Sequence, residues 1–230
     1  MFYNLSMDLL SEKFNDLTEV SKVRKFIFSD LGNMGLKSLY NTYWLEMENL
    51  FIDASEKVGK NLFELFLVDY LTIQKSAVIP KKENLLKEFV DFYQEISKFQ
   101  SREIIIKNIF RYSMYYLRIT FADLQDEDIR RKIKTINALN ASDSYPFLME
   151  IFEDYEFAHI NRAMLLEILD TVLGFINERN SKKPSQIALS FAGLSTEINK
   201  MLVLKDYTPH FVVEETNYLE KETINSMISS

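Results

Sequence analysis

Leu62–Pro80, LFELFLVDYLTIQKSAVIP, is the stretch whose reading decides the fold. Leu62, Phe63, Leu65, Phe66, Leu67 and Val68 place apolar groups on every side of a helix, and Tyr70, Leu71 and Ile73 continue the run. A surface helix carries one apolar stripe, whereas a helix that is apolar all round is enclosed by others. Glu64, Asp69 and Lys75 interrupt the run too early for it to span a bilayer. Pro80 lacks an N–H and holds Ile79 extended, so the helix ends before it. The reading is a central buried helix.

Working outward, the apolar residues recur at steps of three and four. Val20, Val23, Ile27 and Leu31 form one such stripe, with Asp16 and Glu19 in capping-box spacing ahead of it and Gly32-Asn33 as its stop. Leu36, Leu39, Tyr40, Tyr43, Trp44, Met47, Leu50 and Phe51 form the most regular face, and Gly59 separates it from the central helix. Beyond Pro80 come Leu85, Phe89, Phe92, Tyr93, Ile96 and Phe99. Ser101 then caps a long helix through Ile105, Ile109, Met114, Leu117 and Phe121.

Ile129, Ile133 and Ile136 line a shorter helix, and Pro146 suits the first turn of one carrying Phe147, Ile151, Phe152 and Tyr155. Asn161 caps a helix through Leu165, Ile168, Leu169, Val172 and Ile176. After Lys182-Lys-Pro-Ser185, the last stripe runs through Ile187, Phe191, Leu194, Ile198 and Met201. The expected fold is all-α, an irregular bundle of about eight to ten helices around the central one. Residues 1–15 read as an incomplete leading segment, 16–201 as the helical domain, and 202–230 as a weakly patterned tail.

Composition agrees. Five Gly and four Pro in 230 residues are too few for the frequent turns of a sandwich or barrel. No Cys is present, which removes disulfides, thiolate zinc sites and thiol catalysis, and fits a reducing cytoplasm. Met1 leads into no basic segment followed by an apolar core, so no secretory signal is read. A net charge of −7 opposes broad coating of nucleic acid, whose affinity comes mainly from phosphate neutralisation.

Chemistry-bearing residues are sparse. Glu156-Phe-Ala-His159 has the spacing of two metal ligands on one helix face. A second such motif is missing and His210 is the only other histidine, so a helix-surface or capping role suits His159 better. Glu150, Glu153 and Asp154 read as the wet face of the same helix. Asp69, within the apolar run, reads as a carboxylate paired with an Arg or capping a backbone rather than as a site.

Arg130, Arg131, Lys132 and Lys134 form the densest basic cluster, a candidate phosphate contact or simply a solvated face. Tyr112, Tyr115 and Tyr116 beside Arg111 and Arg118 suit core and rim packing better than base stacking. No Gly-rich phosphate loop or nucleophile elbow occurs. No catalytic, cofactor-binding or metal residue is assigned.

Several stretches together resemble one family. They are Asp16-Leu-Thr18 before Val23-Arg-Lys-Phe-Ile-Phe28, Leu39-Tyr-Asn-Thr-Tyr-Trp-Leu-Glu-Met-Glu48, and Asp69-Tyr-Leu-Thr72 with Ile79-Pro80 and Phe89. Ser144-Tyr-Pro-Phe-Leu148 follows, and Pro184-Ser-Gln186 precedes a helix ending near Glu197-Ile198. In that order they resemble the helical middle region of GmrSD-like restriction proteins, bacterial phage-defence enzymes directed against modified DNA. The resemblance spans about residues 15–200.

It implies an amino-terminal ParB-like module linked to nucleotide hydrolysis and a carboxy-terminal His-Asn-His-type nuclease module, in the same or a partner chain. Neither the Asp-Gly-Gln-Gln-Arg motif of the first nor the histidines of the second occur here, and only Arg179 stands where the family often has paired Arg. The implied role is a non-catalytic scaffold, without a cofactor of its own, touching DNA weakly if at all through Arg130, Arg131, Lys132 and Lys134.

Two other readings stand beside it. One is a helical adaptor that binds protein through an apolar groove. The other is a carboxylate-metal bundle enzyme around Glu156 and His159, which convergent carboxylates near His159 would favour.

Overall fold

The computed structural model describes residues 18–29, 34–75 and 80–181. Among these residues there are eight helices, one of them continuous through a π-helical turn, and no strand, so the fold is all-α. They are α1 (Glu19–Ile27), α2 (Met34–Leu39) joined through the π turn Tyr40–Trp44 to α3 (Leu45–Val58), then α4 (Leu62–Gln74) and α5 (Leu85–Ile96). After them come α6 (Arg102–Phe121), α7 (Glu127–Ala138), α8 (Tyr145–Glu156) and α9 (Arg162–Ser181). Gly32-Asn33, the stripe 187–201 and His210 lie outside the described residues.

Within the stretch expected as one domain, the described residues divide into two compact units. Residues 18–29, 34–72 and 80–114 form the first, and residues 73–75 and 115–181 the second. Helix α6 thus contributes residues 102–114 to one and 115–121 to the other.

The first unit is built on aromatic rings. Phe63, Phe66, Leu67, Tyr70 and Leu71 of α4 are buried. Phe51 of α3 stacks on Phe63 at 4.7 Å between centroids and 9° between planes, and on Phe66 at 5.3 Å. Tyr70 meets Phe92 of α5 and Tyr112 of α6 edge-on at 5.9 and 5.6 Å. Its hydroxyl donates to Asn108 Oδ1 at 2.7 Å, which satisfies a polar tip that burial would otherwise strand.

Helix α4 is not apolar all round, however. Glu64, Leu65 and Asp69 form a half-buried strip along one side, so Asp69 does not sit in the core.

Helix ends follow local chemistry. Thr18 caps α1, its Oγ1 accepting from Ser21 N at 3.2 Å, and Asp16 lies outside the described residues. Glu19 accepts at Oε2 from Leu86 N at the start of α5 (3.1 Å), tying α1 to that helix. Gly59 ends α3 at φ 71°, its N–H on Ser55 O. Ser101 caps α6 and Asn161 caps α9, as their positions imply.

Phe99 falls beyond the end of α5 and is 56% exposed, so it does not extend that stripe. In α6 the inner face runs Ile105, Ile109, Tyr112, Tyr116 and Ile119, all buried. Met114 and Leu117 lie off that line and are half-buried, and Phe121 is exposed. Three-four stepping from Ile109 reaches the tyrosines first, which places their rings in packing rather than on a surface for base stacking.

In the second unit Ile129, Ile133 and Ile136 of α7 and Leu165, Ile168, Leu169, Val172 and Ile176 of α9 are buried. Asn137 of α7 donates its amide to the carbonyls of Ile119 and Thr120 at 2.8 and 3.1 Å, satisfying the end of α6. Its Oδ1 accepts from the Tyr145 hydroxyl at 2.9 Å. Glu150 and Asp154 are buried at 3% and 1% exposure, so α8 has no wet face there, contrary to the sequence reading. With Phe147, Leu148, Met149, Ile151 and Phe152 also buried, α8 is enclosed on most sides.

Candidate functional site

A buried carboxylate with several resolved partners is one that sequence reasoning missed. Glu48 is 2% exposed. Trp44 donates its indole Nε1–H to Glu48 Oε1 at 2.8 Å, Arg24 Nη1 approaches the same oxygen at 3.3 Å, and the Tyr40 hydroxyl reaches Oε2 at 3.4 Å.

The π-helical turn makes this arrangement. Tyr40, Trp44 and Glu48 lie four apart, and in an uninterrupted α-helix each such step advances around the axis by about 40°. The wider π turn sets Trp44 back, so all three groups fall in line. Phe28, in the turn after α1, closes the clasp with its ring edge-on to Tyr40 at 5.2 Å and Trp44 at 5.6 Å.

Burial pushes the Glu48 carboxyl above its ordinary range, and the Arg24 charge and the three donors pull it back only in part. Burial, with the Glu48 charge next, pushes the Tyr40 hydroxyl up to about 12. Every partner of the carboxylate comes from within this unit, which is the pattern of a structural clasp rather than of a group aimed at substrate.

The basic cluster on α7 is dispersed. Arg130 pairs with Glu127, Arg131 with Asp128 at 2.8 Å, and Lys132 with Asp170 of α9. Lys132 keeps only 19% of its side chain exposed, on the flank toward α9, whereas Arg131 keeps 69% and Lys134 is exposed. Arg130 Nε is buried with no hydrogen-bond partner among the described residues. The four cations therefore wrap the outer half of the helix, and at least three are matched by a carboxylate.

The network continues at the start of α7. Asp126 caps the helix through Asp128 N and Ile129 N at 3.0 and 3.2 Å. Arg162 grips Asp126 at 2.5 and 3.0 Å and Asp128 at 2.6 Å. The Arg162 guanidinium holds the Asp126 carboxyl down at about 2.

Glu156 and His159 do not share a helix face. Glu156 ends α8 and accepts from Arg118 at 2.5 Å and the Tyr115 hydroxyl at 3.3 Å. His159 lies in the following turn, its Nδ1 3.3 Å from Asp154 Oδ1 and its ring stacked on Phe157 at 6.3 Å. Its N–H donates to Asp154 O while Ala158 N donates to Tyr155 O, the paired bonds of a Schellman C-cap. Among the described residues no group of three or more His, Asp or Glu could hold a metal ion.

No helix among the described residues is long and apolar enough to cross a membrane. Compared with known proteins, the chain matches no protein-family model, no curated protein and no solved structure.

Proposed function

We propose that this chain is a non-catalytic helical scaffold, the cytoplasmic middle region of a GmrSD-like phage-defence restriction system. It would position a nucleotide-hydrolysing ParB-like module and a DNA-cleaving nuclease module carried on the same or a partner chain. One observation carries the scaffold reading: the stretches on which the resemblance rests supply the clasp and the core. Arg24 and Phe28 come from the first stretch, Tyr40, Trp44 and Glu48 from the second, Tyr70 from the third and Tyr145 from the fourth. Each of these residues makes at least one resolved contact to a neighbouring helix or turn, which is what a positioning element requires.

On this reading the purified chain neither turns over GTP nor nicks modified DNA, and it restores cleavage when combined with the two modules. Nucleotide turnover or nicking by the chain alone, abolished by a point substitution within it, would overturn the proposal. The outward residues of α7, Arg131 and Lys134 with Arg130 beside them, give the scaffold a surface for phosphates.

A further inference from the structure

We propose that the cationic half of α7 is a self-shielded phosphate surface, on which this chain's own carboxylates compete with the polyanion. The inference rests on the DNA-contact reading of that helix. Its motive is the pairing pattern: Glu127, Asp128 and Asp170 each hold one cation of the cluster, and Lys134 makes no ion pair with a described residue. A phosphate reaching Arg130, Arg131 or Lys132 competes with a carboxylate already in place.

Exposed pairs of this kind are weak, so the carboxylates attenuate binding rather than forbid it. The surface is then set to touch a DNA duplex only when something else holds the duplex close. That suits a scaffold whose sequence and modification readout lies in another module.

Counterion release gives the inference a number. With Lys134 as the unshielded contact, the logarithmic salt slope for a short DNA duplex is near about −0.9, and with all four contacts open it approaches about −3.6.

The test compares the wild-type chain with a Glu127→Gln, Asp128→Asn, Asp170→Asn variant on a 20-base-pair duplex at several salt concentrations. The variant is expected to bind about tenfold tighter at low salt, since an exposed pair is worth a factor of roughly two, and to show the steeper slope. A matched control replaces Asp91, Glu95 and Glu103, whose lysine partners Lys87, Lys98 and Lys107 lie outside α7. It makes the same change in net charge and should leave the affinity near the wild-type value.

A third variant adds Gln at Arg130, Arg131, Lys132 and Lys134 to the unshielded chain and should lose the gain. Equal tightening in the matched control, or no tightening in the α7 variant, overturns self-shielding. The DNA-contact reading survives that second outcome if the wild type binds and the four-Gln change weakens it, and falls if none of the folded proteins binds. Circular dichroism and thermal unfolding of each variant establish that the helical fold is kept.

Discussion

Arg24 and Glu48, 24 positions apart, meet at 3.3 Å inside the first unit, with Trp44 donating to the same carboxylate oxygen at 2.8 Å. Removing the carboxylate takes away one acceptor shared by a largely buried guanidinium and an indole N–H. Glu48→Ala is expected to destabilise by about 3–5 kcal/mol, the usual result of breaking a buried pair from one side. Glu48→Gln keeps an amide oxygen for Trp44 and should cost less than half as much. Urea unfolding of the three proteins at neutral pH measures this, and equal stability of the Glu48→Ala variant and wild type would remove the clasp from the account.

Acid titration of the same proteins gives a signed outcome. The folded Glu48 carboxyl lies above its ordinary value of 4.5. Its favourable contribution is therefore fully present below about 4.5 and is lost as pH rises through the folded value. The Glu48→Gln variant does not titrate there, so its stability relative to wild type should improve as pH rises above about 4.5. A constant difference across that window would contradict the raised value.

Asp126 should behave in the opposite sense. Its folded value of about 2 lies below the ordinary 3.8, so its contribution is present above 3.8 and disappears as pH falls toward 2. Asp126→Asn retains a cap acceptor but not the charge that Arg162 grips. Wild type is expected to lose more helix than the variant between pH about 4 and 2, and superimposable curves would count against the pairing.

Two helix ends carry alanine where glycine is the common choice. Ala122 and Ala158 sit at φ 49° and 58°, each between the paired bonds of a Schellman cap. The left-handed region costs a residue with Cβ about 1–2 kcal/mol, while glycine loses about 0.5–1 kcal/mol in backbone entropy. Ala158 is exposed, so Ala158→Gly should stabilise by about 0.5–1 kcal/mol. Ala122 is 4% exposed, and its buried methyl, worth about 0.8 kcal/mol, should cancel most of the same gain. Gly59→Ala is the converse: nothing lies within 4 Å of an added Cβ, so the loss of about 1 kcal/mol would come from backbone strain alone. Thermal unfolding of the three variants ranks them, and destabilisation by Ala158→Gly would refute the argument.

Phe66 tests the aromatic core. It is fully buried against Phe51, Phe63 and Tyr70, and Phe66→Ala should cost about 3–5 kcal/mol through lost transfer energy and the cavity. A loss below about 1 kcal/mol would mean that α4 is not held as described.

The helices were legible because their apolar residues recur at three and four, and their caps because Ser101, Asn161 and Gly59 have few other local uses. Glu48 was not legible. It stands near Glu46 in a stretch that reads as half polar, whereas Asp69 stands out in the sequence as a buried carboxylate because it interrupts an apolar run. The signal that could have found it is phase: Glu48 follows Tyr40 and Trp44, two aromatic donors, at steps of four along the buried stripe. Glu150 and Asp154 were misread for the related reason that acidic residues near a helix end look solvated unless the neighbouring helices are known. The basic cluster was legible as composition only. Its pairing with Asp170 comes from a different helix, which no local pattern in residues 130–134 announces.

The π-helical turn makes the length of residues 40–44 a constrained quantity. Dropping one residue there would convert the π turn to an ordinary α turn and leave Leu45–Val58 facing almost as before, because the wider coil already takes up that one residue. Adding a further residue as ordinary helix would instead turn Leu45–Val58 by about 100° against Met34–Leu39. Glu48 would then swing away from Tyr40, and Met47 and Phe51 would leave the core together. Chains descended from a common ancestor with this one can therefore exchange side chains along the segment or lose the extra residue, but an insertion inside it would signal a different first unit.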